Sequence, residues 1–227
     1  MSAHYKSLAR RTKSDTVAVF PLNGTVLLPG CELPLNIFEP RYLNMIDDAL
    51  KGERLIGMIQ TDDTANSGLS KVGGLGRIMQ FSEQEDGRYL IVLKGLKRFN
   101  FIKDIKSTTP YRQAKVSYEG FEEDADLHDP RTLPDAMTDI GGTDRATLTL
   151  AMKSLAKALG VSVDWEGLAE IPLPQLVNQA AMISPFKPAD KQSLLEAIST
   201  DDRRRLLTGL LHLYASTGGN APDQPTN

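Results

Sequence analysis

One cysteine and three histidines among 227 residues leave little room for metal or thiol chemistry. Cys31 has no internal disulfide partner, and His4, His128 and His212 are too dispersed along the chain to give zinc-ligand spacing. A catalytic thiol also needs a base within reach and a group that orients it, so Cys31 reads as a small turn residue. Neither sign of charge dominates. With 26 basic and 29 acidic side chains the formal net charge is -3, which gives no general attraction to phosphate backbones or anionic membranes and makes nucleic acid a disfavoured partner. No apolar run approaches the roughly 20 residues that cross a bilayer. The opening Met1-Ser2-Ala3-His4-Tyr5-Lys6 lacks the apolar core of a signal peptide, so the expectation is cytoplasmic residence. Glycines in Val72-Gly73-Gly74-Leu75-Gly76-Arg77 lack the Gly-Lys-Ser/Thr ending of a nucleotide-binding loop. The expectation is no cofactor, no metal and no catalytic residue.

What is present is the pattern of a folded α+β protein. A 41% hydrophobic and 24% charged composition supports a core. Residues 1–14 read as a flexible start. From 15 to 120 the chain predicts a small β-barrel with one inserted helix: strands at Thr16–Phe20, Glu32–Phe38, Arg54–Gln60, Gly76–Phe81, Tyr89–Leu93, Arg98–Ile102 and Tyr111–Tyr118. Gly87 supplies the positive φ of a tight hairpin, so Phe81 and Tyr89 should lie on paired strands. Pro40 suits a first helical turn, Tyr42, Leu43, Ile46, Ala49 and Leu50 recur at helical spacing, and Gly52 can stop the helix. Residues 121–143, with the acidic run Glu122-Glu123-Asp124-Ala125-Asp126 and the Asp129-Pro130 and Leu133-Pro134 punctuation, read as a linker. Residues 144–215 predict a helical bundle, with Leu148, Ala151, Met152, Leu155, Ala156 and Leu159 on one face and further helices at Pro174–Ile183, Pro188–Ile198 and Asp201–Tyr214. Residues 216–227 are polar and rich in Gly and Pro, a flexible tail.

The most informative residues are Phe20-Pro21-Leu22, Leu28-Pro29-Gly30, Leu33-Pro34-Leu35 and Ile37-Phe38-Glu39-Pro40-Arg41-Tyr42. With Val72-Gly73, Asp86-Gly87-Arg88-Tyr89 and Lys94-Gly95-Leu96-Lys97-Arg98-Phe99, their order along about a hundred residues resembles the N-terminal, substrate-binding domain of Lon-type proteases, including its free-standing bacterial versions. Asn36 stands where family members often carry His. The resemblance implies a PUA-like barrel followed by a helical bundle, and a role in recognising polypeptide. The ATPase loop and the Ser-Lys peptidase domain of a complete protease are not seen, so the expectation is a non-catalytic module. It would bind unfolded or exposed hydrophobic segments, with a protease or chaperone as a further partner, as a monomer or weak dimer. Candidate binding residues are Leu28, Pro29, Phe38 and Tyr42. The alternative is an RNA-binding protein, since PUA-like barrels also recognise RNA.

Other conspicuous residues have simpler readings. Lys94, Lys97 and Arg98 beside Phe99 and Phe101 could hold nucleic acid by charge and stacking, but alternation favours a solvated turn flanking a strand with its rings in the core. Glu39 and Arg41 read as fixing the helix entry, Arg203-Arg204-Arg205 as an exposed helix face, and Trp165 as packing between helices.

Overall fold

The computed structural model describes residues 2–128 and 143–218. Six strands form one sheet: β1 (Thr16–Pro21), β2 (Glu32–Ile37), β3 (Leu55–Thr61), β4 (Leu69–Glu83), β5 (Tyr89–Ile105) and β6 (Gln113–Ser117). β1 pairs in parallel with β3 and antiparallel with β6; β3–β4, β4–β5 and β5–β6 are antiparallel. These pairings close a ring of five strands. β2 stands outside it, paired with the first half of β5, so the sheet is not a simple barrel. The two strands expected at Tyr89–Leu93 and Arg98–Ile102 are one strand, and β4 starts well before Gly76. Register shifts between Leu75/Gly76 and Ile78/Gln80 let this long β4–β5 ribbon bend, so that β5 serves β2 with one half and β6 with the other.

Two glycines make the bend possible. A Cβ at Gly95 would collide with the Leu28 carbonyl, and one at Gly74 with the Leu27 carbonyl. The loop between β1 and β2 therefore lies directly on the ribbon. Helix α2 (Pro40–Lys51) opens with Pro40 at its first turn and buries Tyr42, Met45 and Ile46. They pack with Phe20, Ile56, Met58, Ile78, Ile91 and Leu93. Phe81 and Tyr89 meet edge to face, their centroids 4.9 Å apart across the paired strands.

Residues 1–14, expected to be flexible, contain helix α1 (Ser2–Arg11). Tyr5, Leu8 and Ala9 share one face and pack with Leu96 and Ala125, while Lys6 and Arg10 pair with Asp126 at 2.7 and 2.8 Å. The acidic run read as linker is a 3-10 segment, Glu122–His128, with Asp124, Ala125, Leu127 and His128 buried. The Asp129-Pro130 and Leu133-Pro134 readings lie outside the described residues, as does most of the 216–227 tail.

The second half holds α3 (Thr143–Leu159), α4 (Trp165–Ala169), α5 (Leu173–Ile183), α6 (Pro188–Glu196) and α7 (Thr200–Ser216). The short α4 was not anticipated. Asp164 caps it by accepting the Gly167 N–H, as Ser199 caps α7 by accepting from Asp202. Leu148, Ala151, Leu155, Val177, Leu194, Leu207 and Leu211 form a core that also takes in Val26, Leu28, Cys31, Val72 and Phe121 from the first half.

Candidate functional site

Buried charge fixes the junction between sheet and helices. Arg98 is 2% exposed. Its guanidinium pairs with Asp124 at 2.8 Å and donates to the carbonyls of Leu195, Ala197 and Ile198 at and just past the end of α6, while lying 4.3 Å from the Phe121 ring. Arg203 donates to Leu194 O and Asn178 Oδ1 at 2.8 Å and to Ala197 O; Asn178 in turn donates to Pro29 O at 3.0 Å. The expected solvated turn at Lys97 and Arg98 and the expected exposed face at Arg203 are both internal. Ionic side chains go inside when carbonyls and carboxylates surround them, and their spacing in sequence does not report that. Lys97 donates to Thr12 O just past α1 and sits 3.7 Å above the Tyr118 ring, with burial lowering its pKa. The basic cluster thus offers little to a phosphate backbone.

The four candidate binding residues are not brought together. Leu28 packs in the helical core, its N–H directed at Met182 Sδ, and Pro29 is buried beside Asn178. Tyr42 is buried against Phe20, with ring centroids 4.2 Å apart and Arg41 over its face. Phe38 is 64% exposed just after β2. Leu28, Pro29 and Tyr42 therefore shape the fold and present no accessible side chain. Arg41 does pair with Glu39, at 2.6 Å, at the helix entry. Burial pushes the Cys31 thiol up to about 12, which removes it as a nucleophile.

A different surface is concave. On β2, β5 and β4 the registers Pro34↔Val92↔Gln80 and Asn36↔Leu90↔Ser82 place these six side chains on one outward face, while Leu35, Ile91 and Leu93 alternate inward toward α2. The outward face lines an open groove of about 570 Å³, with Leu90 44% exposed in its floor. A second cavity of about 400 Å³ continues from it through the shared Gln80 and Val92. Tyr5 of α1, Glu32, Lys94, His128 and Gln175 of α5 line this polar end. The trough is therefore apolar at one end and polar at the other.

Its charged and ionisable groups are already engaged. Lys94 pairs with Glu32 at 3.2 Å, the Tyr5 hydroxyl donates to Met79 Sδ at 3.1 Å, and His128 Nε2 bonds Leu96 O at 2.7 Å. Burial lowers the His128 pKa, opposed by that hydrogen bond. Among the described residues no group of three or more His, Cys, Asp or Glu side chains could hold a metal ion, and no helix is long and apolar enough to cross a membrane. The alternation of Pro34 and Asn36 and of Leu90 and Val92 is visible in the sequence, but their meeting on one face depends on the pairing of β2 with β5, which the sequence does not show.

Comparison with known proteins agrees with this architecture. Residues 16–212 match the family model for the ATP-dependent protease La (LON) substrate-binding domain. A Lon protease of Flavobacterium johnsoniae is 30% identical over 119 residues, covering 50% of this chain and 14% of that protease. One from Desulfosudis oleivorans is 25% identical over 209 residues, covering 87% of this chain and 24% of the protease. The chain thus spans less than a quarter of these relatives. Among solved structures, a Lon N-terminal domain protein from Xanthomonas campestris superposes with a TM-score of 0.58 at 22% identity, covering 86% of this chain and 96% of that one. The N-terminal domain of Mycobacterium avium complex Lon protease gives 0.60 at 18% identity, covering 86% and 97%. The chain belongs to the Lon substrate-binding domain family.

Proposed function

We propose that this protein is a non-catalytic recognition module on a PUA-like barrel, and that it binds unfolded or extended polypeptide along the trough of β2, β5 and β4. The family match over residues 16–212 carries the reading, and the open apolar groove supports it. Pro34, Leu90 and Val92 offer a surface that would bury apolar side chains of a bound segment at about 25 cal/mol per Å². A folded protein hides such side chains, and an unfolded one presents them. Phe38, exposed just after β2, is a further apolar side chain open to a bound segment. A cytoplasmic setting, a monomer or weak dimer and a handover to a protease or chaperone complete the proposal.

The test is a titration with a reduced, carboxymethylated protein and with its native form. Binding to the unfolded form alone is expected, and Leu90→Asp should weaken it about tenfold while leaving the melting temperature nearly unchanged, because this side chain is partly exposed. Equal affinity for native and unfolded forms would remove the reading.

A further inference from the structure

The polar groups left unengaged in the trough are neutral. Asn36, Gln80 and Gln175 line it, and none of their side-chain amides has a hydrogen-bond partner among the described residues. Lys94, Glu32, Tyr5 and His128 are each committed to a neighbour, as described above. Asn36 and Gln80 lie on the apolar groove, and Gln80 and Gln175 on the polar end, so Gln80 stands where the two cavities join.

A primary carboxamide carries one acceptor and two donors and is a chemical copy of the peptide group it would meet. Paired with main chain, it reads an extended backbone without reading side chains. We propose that Asn36, Gln80 and Gln175 are the specificity residues of the trough, and that they recognise the main-chain amides of a bound segment while Leu90 and Val92 take one of its apolar side chains. The ladder Leu90, Val92, Lys94 spans about 13 Å at 3.3 Å per residue, the reach of roughly four extended residues. Strand addition at the outer edge of β2 is a poorer mode. Pro34 sits in the middle of that edge and has no N–H to give.

This inference rests on polypeptide binding at the trough, and the experiment separates the two. The probe is a fluorescent peptide of about twelve residues, with a leucine pair in a serine and threonine background, long enough to fill the trough. It is compared with the same peptide N-methylated on both sides of the leucines, against the wild type and the double variant Gln80→Ala, Gln175→Ala. In the wild type, N-methylation should weaken binding about five- to thirtyfold, the loss of one or two hydrogen bonds. The double variant should bind the parent peptide more weakly by a similar factor and no longer distinguish the two probes. Affinity should change little between low and high salt, since no free charge is used. If the wild type binds both peptides equally, the carboxamides do not read backbone, although polypeptide binding stands. If it binds neither, both readings fall. A double variant that unfolds is replaced by Gln80→Met, which keeps the size and removes both the donors and the acceptor.

Discussion

His128 is a residue whose charge depends on the chain being folded. It ends the 3-10 segment, buried, with Nε2 on the Leu96 carbonyl, and the Tyr5 ring of α1 lies 6.2 Å away. Burial holds its pKa below the ordinary 6.5; Lys94 lowers it further, and Asp124 opposes both. Above pH 6.5 the imidazole is neutral whether the chain is folded or not, so its contribution is fully present there. As the pH falls through 6.5 the unfolded chain takes up a proton that the folded chain refuses, and stability is lost until the folded imidazole also protonates. The thermal midpoint should therefore drop between pH 7.5 and pH 5.5, and His128→Gln should flatten that slope. Equal slopes would mean that His128 is not held neutral. Nothing in the sequence around an acidic run marks this histidine as internal. Asp124, Arg98 and Arg203 were illegible for the same reason: charged side chains default to the surface, and here partners distant in sequence reverse the default.

At the level of elements, the legible parts were those set by local pattern. β1, β2, α2 and α5 fall close to their expected bounds because proline, β-branched residues and helical spacing act within a few neighbours. The continuity of β5 was not legible, since Gly95 reads as a break until the Leu28 carbonyl is seen against it. α1 was missed because its apolar face is only Tyr5, Leu8 and Ala9, too small to announce a helix without Leu96 and Ala125 beneath it. The glycine contacts can be tested by contrast. Gly95→Ala should cost ~3 kcal/mol in urea denaturation, because backbone rather than a side-chain tip would have to move. Gly209→Ala, inside α7 with open space around it, should instead stabilise by about 0.5–1 kcal/mol through helix propensity. A Gly95→Ala protein as stable as the wild type would show that the loop does not press on the ribbon.

For the whole molecule, the question is whether sheet and helices stand or fall together. Sequence composition suggests two domains with a connector, yet Leu28 of the first half lies fully buried among Leu148, Val177 and Leu211 of the second. Pro29 O, Asn178 and Arg203 continue that contact as a chain of hydrogen bonds, and Arg98 reaches the same Ala197 carbonyl from β5. Cutting the molecule there would open apolar surface and strand two guanidinium groups, each without part of its partner set. Unfolding should accordingly be a single transition. Trp165, the sole tryptophan, lies on α4 and reports on the helical half, while far-UV circular dichroism reports on the whole chain. The two signals should give coincident urea curves. Leu28→Ala, a change in the first half, should shift the tryptophan curve by ~2–5 kcal/mol and keep the signals superimposed. If the tryptophan transition stays in place while the circular dichroism curve moves, the halves are separate folding units, and the shared core binds them too weakly to couple. Coupling also bears on recognition, because Gln175 of α5 lines a trough whose floor belongs to β4 and β5. A helical half free to drift would leave that wall unplaced, so Leu28→Ala should also weaken the polypeptide binding proposed for the trough, although Leu28 lies in the core and not in its lining.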